Sequence, residues 1–282
     1  MRKNRTLALL RQGQPALGAW LQLGSVPAAR LMAAQGLLDW LLVDFEHAPV
    51  DPATAATLLG SISDVSGGRV TPLARVAAAT MACVKHALDA GAQGIVVPMV
   101  HGPDEVREAV RWARFPPEGE RGAGALLAHL GLGVTRPAYL ARANAEILVG
   151  VQIETREAIE RVDEILDVPG VGLCFIGPND LHLALGCAPR FWSDEPAFAR
   201  AVARIRAAAA ERGIPMGTLC RDAAAARARL DDGFTFVGVG SDAHYLLTFC
   251  GMELGAVRGL AEPGSWCDRV SLDAGGDGEG PP

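Results

Sequence analysis

The sequence predicts an α/β fold, specifically a (β/α)8 TIM barrel. Short runs rich in Val, Ile and Leu alternate with longer Ala-, Leu-, Glu- and Arg-rich stretches of helical period, which is the pattern of repeated βα units. Eight such runs occur, whereas an open doubly wound sheet usually has five or six strands. The chain has 282 residues, of which 50% are hydrophobic. That is enough for one barrel of roughly 250 residues.

The strands and helices follow in order along the chain. The predicted strands cover residues 18–24, 39–46, 69–75, 94–99, 146–153, 172–177, 215–220 and 234–239. Asp51-Pro52 supplies the cap and first residue of the second helix, Gly102-Pro103 opens the fourth, and Thr155 opens the fifth. Each predicted strand is therefore followed by a plausible helix, as a barrel requires.

One long segment, residues 116–145, interrupts the alternation between the fourth and fifth strands. Its Pro116-Pro117 pair and glycine-rich middle are compatible with an excursion near the active face or with a plain surface insertion. After residue 262 the Gly, Pro and Asp content predicts disorder. We therefore expect one barrel domain over residues 1–262 and a disordered tail over residues 263–282.

Composition restricts the partners and the compartment. A formal net charge of −6 and a pI of about 5.5 disfavour nucleic acid and anionic membranes as partners, and favour a small-molecule substrate. The six cysteines form no C-x-x-C pair, so neither a zinc site nor a disulfide framework is predicted, and a cytoplasmic protein is expected. No stretch reaches the roughly 20 apolar residues that span a bilayer.

Polar side chains stand at four predicted strand ends, where a βα barrel builds its substrate site. They are Asp44 and His47 at the end of the second strand, Arg75 at the end of the third, Gln152 and Glu154 at the end of the fifth, and Gly177, Pro178, Asn179 and Asp180 at the end of the sixth. The apolar runs before them contain little other polarity. These residues are therefore the candidates for catalysis and binding.

Glu154 and Asp180 are candidate metal ligands. Carboxylates from adjacent strand ends converge, and two oxygen ligands with several open positions suit octahedral Mg²⁺ or Mn²⁺. Alternatively, each carboxylate caps the helix that follows it. Gln152 lies two residues before Glu154, on the same face of the strand, so it either donates a hydrogen bond into the site or serves as a structural amide.

His47 and Arg75 are candidate catalytic residues. Asp44 precedes His47 by three residues, a spacing that allows the carboxylate to orient or charge the imidazole, directly or through water, as a general base requires. A solvated loop histidine is the alternative. Arg75 would point into the barrel mouth and stabilise a carboxylate or a developing enolate oxygen, unless it forms only a salt bridge at the rim.

The positions of the lysines exclude a Schiff-base aldolase mechanism. The chain has two lysines, Lys3 and Lys85, and neither ends a predicted strand, whereas a Schiff-base aldolase needs a lysine inside the barrel. The sequence also has no G-x-S-x-G elbow, no phosphate-binding G-x-x-x-x-G-K-[ST] and no G-x-G-x-x-G after a strand, so no nucleotide cofactor is expected.

Five segments together resemble the HpcH/HpaI aldolase family of metal-dependent class II aldolases, over about residues 15–255. The segments are VDFEHAP (43–49), DAGAQGIVVPMV (89–100), ARFPPEGERGAG (113–124), QIET (152–155) and FIGPNDL (175–181). The resemblance implies a barrel of the phosphoenolpyruvate/pyruvate-domain type. It also implies an aldolase similar to 4-hydroxy-2-oxoheptanedioate or 2-dehydro-3-deoxyglucarate aldolases, which cleave a 4-hydroxy-2-oxo acid to pyruvate and an aldehyde.

The resemblance also assigns roles to residues. Glu154 and Asp180 match the carboxylates that bind a divalent ion, Mg²⁺ or Mn²⁺, with Co²⁺ as a further candidate. His47 with Asp44 matches the base dyad, and Arg75 matches the arginine that faces the pyruvate-derived oxygen. Gln152 matches a glutamine of the same site. The family implies a homo-oligomer, commonly a hexamer, with the last helix exchanged between protomers.

Two departures from the family affect substrate identity. Leu126 to Leu130 reads as an apolar stretch where the family commonly has small polar residues and an arginine, and His182 replaces the usual serine. Two other functions remain open at this point. One is a CoA-ester lyase of the citrate-lyase β type, which would need basic groups for CoA. The other is a barrel that binds metal without catalysis.

Overall fold

The computed structural model describes residues 3–130 and 132–259, which form a closed parallel barrel of eight strands. The strands are β1 (Ala16–Leu21), β2 (Trp40–Asp44), β3 (Thr71–Arg75), β4 (Gly94–Val97), β5 (Leu148–Gln152), β6 (Leu173–Ile176), β7 (Met216–Cys220) and β8 (Phe236–Ser241). Each coincides with a predicted strand, with ends that differ by at most three residues. The predicted (β/α)8 barrel is confirmed.

Helices cover the outside of the barrel. They are α1 (Arg5–Arg11), α2 (Val26–Ala34), α3 (Pro52–Ser66), α4 (Met81–Asp89), α5 (Pro103–Ala113), α6 (Arg136–Leu140), α7 (Ala143–Glu146), α8 (Arg156–Glu160), α9 (Val162–Leu166), α10 (Pro178–Ala184), α11 (Pro196–Glu211), α12 (Ala223–Asp231) and α13 (Asp242–Val257). The predicted caps are present: the Asp51 carboxylate accepts from the backbone N–H of Thr54, and the Thr155 hydroxyl from that of Ala158. These bonds satisfy donors that a helix start leaves free.

Aromatic side chains fill the inside of the barrel. Trp40 and Phe236 stack with ring centroids 4.1 Å apart, and Phe175 packs edge-on against Phe236 and Trp20. Gly18 makes room for this stack, because a Cβ there would lie 2.0 Å from Trp40. A second, larger apolar layer lies between the sheet and the helices. The interior of the barrel is thus a packed core, and a substrate site can form only at its ends.

Residues 116–130 and 132–145 form a surface insertion at the base of the barrel. A helix that follows a strand returns to the amino-terminal ends of the sheet, so a segment between α5 and β5 begins and ends there. The Asn144 side chain fixes both ends of the segment, accepting from the N–H of Phe115 and donating to its carbonyl. Arg121, which is buried, pairs with Asp89 at the end of α4. The structure thus favours the plain insertion over the excursion near the active face.

The last described helix, α13, has few contacts with its own barrel. Asp242 and Gly255 are its buried residues, while Phe249 and Leu254 are 64% and 61% exposed. The predicted end of the barrel domain at residue 262 and the tail at residues 263–282 lie outside the described residues. Within residues 3–130 and 132–259, no helix has the length and apolar character needed to cross a membrane.

Candidate active site

The predicted site residues meet at the carboxyl ends of the strands. Asp44, Arg75 and Gln152 are the last residues of β2, β3 and β5, Glu154 follows two residues after β5, and Asp180 lies in the first turn of α10. Because all strands of the barrel are parallel, these ends share one mouth. Arg75 and Glu154 are buried there, at 7% and 1% exposure.

Arg75 joins two carboxylates. Its Nε and Nη2 donate to the two oxygens of Asp44 at 2.9 and 2.6 Å, and its Nη1 lies 3.0 Å from Oε2 of Glu46. The guanidinium also stacks over Trp20 at 4.4 Å from the ring centroid. A guanidinium has five N–H donors. These contacts hold its orientation and leave donors for a further ligand at the barrel mouth.

The imidazole of His47 faces Glu46. The spacing of Asp44 and His47 suggested that the carboxylate orients the imidazole, but Arg75 takes both Asp44 oxygens. Asp44 contacts His47 through the backbone, accepting its N–H at 3.3 Å. The ring Nε2 lies 3.7 Å from Oε2 of Glu46, and the side chain is 59% exposed. The direct contact in the expected dyad is therefore replaced by a Glu46–His47 pair.

Glu154 is held by two hydrogen bonds at fixed positions. Its Oε1 accepts from the backbone N–H of Met99 at 2.8 Å, and its Oε2 accepts from Nε2 of Gln152 at 2.7 Å. Met99 has a φ of 51°, which a side-chain-bearing residue rarely adopts, and this turn aims its N–H at the carboxylate. Gln152 therefore orients Glu154, and a hydrogen bond from Gln152 to a ligand stays a prediction.

Gly177 allows Glu154 to lie where it does. A Cβ on Gly177 would be 1.7 Å from Oε2 of Glu154 and 3.0 Å from Nε2 of Gln152. The carboxylate thus occupies space that any other residue at position 177 would fill. Pro178 is buried, Asn179 is exposed, and Asp180 is partly exposed at the same edge. The residues predicted after the sixth strand therefore flank Glu154.

Negative charge accumulates at this mouth. Burial raises the pKa of Glu154 to about 7, and the nearby charge of Asp180 adds to this against the opposing hydrogen bonds of Met99 and Gln152. Burial also raises the pKa of Glu46, although Arg75 opposes it, and Asp180 again contributes repulsion. For Asp44, burial is outweighed by Arg75 and the backbone N–H groups, so its pKa is lowered. Asp180 thus repels both Glu46 and Glu154, which favours a cation beside it.

The donor set fits a divalent cation with oxygen ligands. Mg²⁺ is usually bound by one or two carboxylates, with water and substrate completing the octahedron. Oε1 of Gln152 is buried with no hydrogen-bond partner, which leaves another oxygen free near Glu154. The described part of the chain contains no cluster of three or more His, Cys, Asp or Glu side chains that could hold a metal alone. A bound ion would therefore use Glu154, Asp180 and ligands from outside the protein.

Three residues of this mouth were missed by sequence reasoning. Glu46 was visible beside His47, but its contact with Arg75 depends on the pairing of β2 with β3. Trp20 lies in a strand that reads as core, and Met99 acts through its backbone. Only Glu46 gave a sequence signal, as a charged residue at a strand end.

Comparisons with known proteins identify the family and agree with the fold. The family model described as HpcH/HpaI aldolase/citrate lyase matches residues 17–248. A 4-hydroxy-2-oxo-heptane-1,7-dioate aldolase from Escherichia coli is 41% identical over 242 residues, covering 85% of this chain and 89% of that protein. A protein of the same name from Salmonella arizonae is 40% identical over 262 residues, covering 92% and 96%. The crystal structure of an HpcH/HpaI aldolase/citrate lyase family protein from Burkholderia cenocepacia J2315 has a TM-score of 0.83 at 36% identity, covering 90% and 99%.

Proposed function

The chain belongs to the HpcH/HpaI aldolase/citrate lyase family, and we propose that it is a class II aldolase that cleaves a 4-hydroxy-2-oxo acid to pyruvate and an aldehyde. The reverse reaction adds pyruvate to the aldehyde. The observation that carries this proposal is the buried Glu154, held by Met99 and Gln152 at the barrel mouth, with Asp180 close enough to repel it and Arg75 opposing that repulsion. A pair of carboxylates of this kind favours a cation, and a cationic metal is the electrophile that replaces lysine in a class II aldolase.

Glu154 and Asp180 would hold the ion, which we propose to be Mg²⁺ or Mn²⁺. When bound there, a divalent ion supplies Lewis-acid stabilisation to the enolate oxygen of pyruvate. The hydrogen bonds from Met99 and Gln152 fix the Glu154 oxygens before any ion binds. This preorganisation lowers the cost of assembling the site.

Arg75 is assigned to the pyruvate half of the substrate. Asp44, Glu46 and the Trp20 ring hold the guanidinium in one position. The remaining N–H donors therefore point in a constant direction. A guanidinium held in this way hydrogen-bonds a carboxylate or an enolate oxygen and offsets its charge. We expect Gly177, Pro178 and Asn179 to line the same subsite, because they border Glu154.

His47 is assigned as the general base. Its exposed imidazole can accept the proton of the 4-hydroxyl group, directly or through a water, while the C3–C4 bond breaks. The electrons of that bond pass to the enolate of pyruvate and the aldehyde leaves. Protonation of the enolate at C3 then gives pyruvate.

The aldolase assignment is preferred to the two alternatives. The relatives that match most of the chain at 40–41% identity carry the name 4-hydroxy-2-oxo-heptane-1,7-dioate aldolase. The barrel mouth contains a pair of carboxylates, a candidate base in His47 and a cationic side chain in Arg75. Carbon–carbon cleavage needs such groups, which argues against an inert binding barrel. Two carboxylates hold Arg75, and its remaining donors are assigned to the pyruvate half of the substrate, which does not favour a CoA-ester lyase that needs further basic groups for CoA.

We also propose that the protein is a homo-oligomer that uses α13, with a hexamer as the expected size. The exposed Leu246, Phe249, Leu254 and Val257 leave this helix uncovered by its own barrel. Contiguous apolar surface of this kind marks an interface. A cytoplasmic location is likewise proposed, supported by the cysteines of the described residues, which are all free.

The function is tested by a coupled assay. Protein and 4-hydroxy-2-oxoheptanedioate are mixed with Mn²⁺ or Mg²⁺, and pyruvate is followed with lactate dehydrogenase and NADH. We expect turnover that EDTA abolishes and that is lost in Glu154→Ala and Asp180→Asn. Exchange of the pyruvate methyl protons, followed by NMR, separates an aldolase from an inert barrel. Full turnover after EDTA treatment, or in Glu154→Ala, would refute the metal role.

A further inference from the structure

His182 is a polar side chain buried completely beside the proposed metal site. It lies in α10, two residues after Asp180, with 0% exposure. Its Nδ1 is 2.6 Å from the carbonyl oxygen of Pro178, and its Nε2 is 2.8 Å from the hydroxyl of Ser193. Because a carbonyl only accepts, Nδ1 carries a proton and donates to Pro178, while Nε2 bonds to the Ser193 hydroxyl. Both ring nitrogens are thus satisfied within the protein.

The imidazole is also fixed by packing. It stacks on Phe198 of α11 with ring centroids 3.9 Å apart and an interplanar angle of 17°. Trp192 packs edge-on against the Phe198 ring, with the ring centroids 5.3 Å apart. The hydroxyl of Ser193 additionally accepts the backbone N–H of Glu195, at the cap of α11. His182 is therefore held by α11 and by the loop that precedes it.

These contacts act on a helix that has little support of its own. α10 has seven residues, and Gly177 at its cap provides no side-chain hydrogen bond to the first turn. Isolated helices of this length are unstable in water. The first turn carries Asp180, and its first residue, Pro178, is the residue whose carbonyl accepts from the imidazole.

We propose that His182 is a positioning residue that links the first turn of α10 to α11, and so holds Asp180 in the geometry required for a divalent ion. This inference rests on the proposed function. A serine, the residue expected here from the family resemblance, reaches only the carbonyl one turn back in its own helix. The imidazole spans from that carbonyl to Ser193. Histidine thus adds a connection between two helices that a serine does not make.

Three substitutions separate the contacts. His182→Phe keeps a ring on Phe198 and removes both hydrogen bonds. His182→Asn places an amide nitrogen where Nδ1 stands and keeps the bond to Pro178, whereas His182→Gln places one near Nε2 and keeps the contact with Ser193. His86→Phe, on the exposed face of α4, is the matched control. The dissociation constant for Mn²⁺ is measured by EPR on metal-stripped protein, and circular dichroism reports folding.

We expect H182F to bind Mn²⁺ about 10- to 100-fold more weakly than wild type, which is typical of lost support behind a metal ligand. H182N and H182Q each keep one half of the link, so each should recover at most part of that loss, while H86F binds as wild type. Folded H182F with wild-type affinity would overturn the inference. If H182F does not fold, wild-type Mn²⁺ affinity in folded H182N or in folded H182Q overturns it. Wild type that binds no Mn²⁺, with Asp180→Asn unchanged from it, rejects the proposed function itself.

Discussion

Replacing Gly177 with alanine should separate the geometry of the site from the stability of the barrel. The new Cβ would lie 1.7 Å from Oε2 of Glu154, whereas ordinary van der Waals contact begins at 3.4 Å. The carboxylate oxygen must therefore move by about 1.7 Å or the strand end must shift. The backbone itself does not oppose the change, since φ of −84° and ψ of 97° are accessible to alanine.

The expected cost is large for activity and moderate for folding. Metal–ligand distances tolerate about 0.2 Å, and a displacement of about 1 Å in an active site costs about 100-fold. We therefore expect Gly177→Ala to lose at least about 100-fold in kcat/KM and to bind Mn²⁺ measurably more weakly. Overpacking of this kind typically costs about 1–3 kcal/mol of stability, so the protein should remain folded.

The assay is the coupled release of pyruvate, with the Mn²⁺ dissociation constant from EPR and thermal unfolding in parallel. Gly60→Ala is the matched control, because Gly60 lies in α3 with nothing within 4 Å of its added Cβ. It should keep full activity and gain a little stability, as glycine is costly inside a helix. A folded Gly177→Ala with wild-type kcat/KM and Mn²⁺ affinity would show that Glu154 does not act where we place it.

Three other changes test the charge arrangement and the assembly. Arg75→Lys should lower kcat/KM about 100-fold, since an ammonium cannot reproduce the two-pronged contact with Asp44; steady-state kinetics near wild type would contradict this. In metal-free protein, the native pKa of Glu154 is about 7 against 4.5 for the free group. Between pH 4.5 and pH 7 the native state keeps this proton and the unfolded state loses it. The free energy of unfolding of wild type should therefore fall by up to about 3 kcal/mol relative to that of Glu154→Gln as the pH rises across this interval. Urea unfolding at pH 5 and pH 8 measures this, and an equal difference at both would be inconsistent with it. Phe249→Asp should give a smaller particle in light scattering, because a charge enters the exposed apolar face of α13; an unchanged mass would exclude this face from the interface.

The fold was readable because its signals are local. The alternation of apolar runs with helical stretches, and caps such as Asp51 and Thr155, depend on neighbours within a few residues. The strand count then selects a barrel, and a barrel places all the carboxyl ends of its strands at one mouth. The sequence therefore predicted that Asp44, Arg75 and Glu154 would lie close together.

The contacts between these residues depend on distances across the barrel. Sequence spacing paired Asp44 with His47, but the register of β2 with β3 places Asp44 directly opposite Arg75, and the guanidinium takes both carboxylate oxygens. In the same way, the role of Met99 depends on a backbone turn that brings its N–H to Glu154, 55 residues away.

The sequence alone determined the barrel, the mouth at which chemistry occurs and the kinds of side chain gathered there, because periodicity and parallel topology fix them. Only the tertiary structure decided which partner each charge takes, that residues 116–145 lie at the base, and that His182 joins α10 to α11. The physical reason is that hydrogen bonds and ion pairs require atoms within about 3 Å. That proximity is set by strand register and helix packing, which residues distant in the chain determine together.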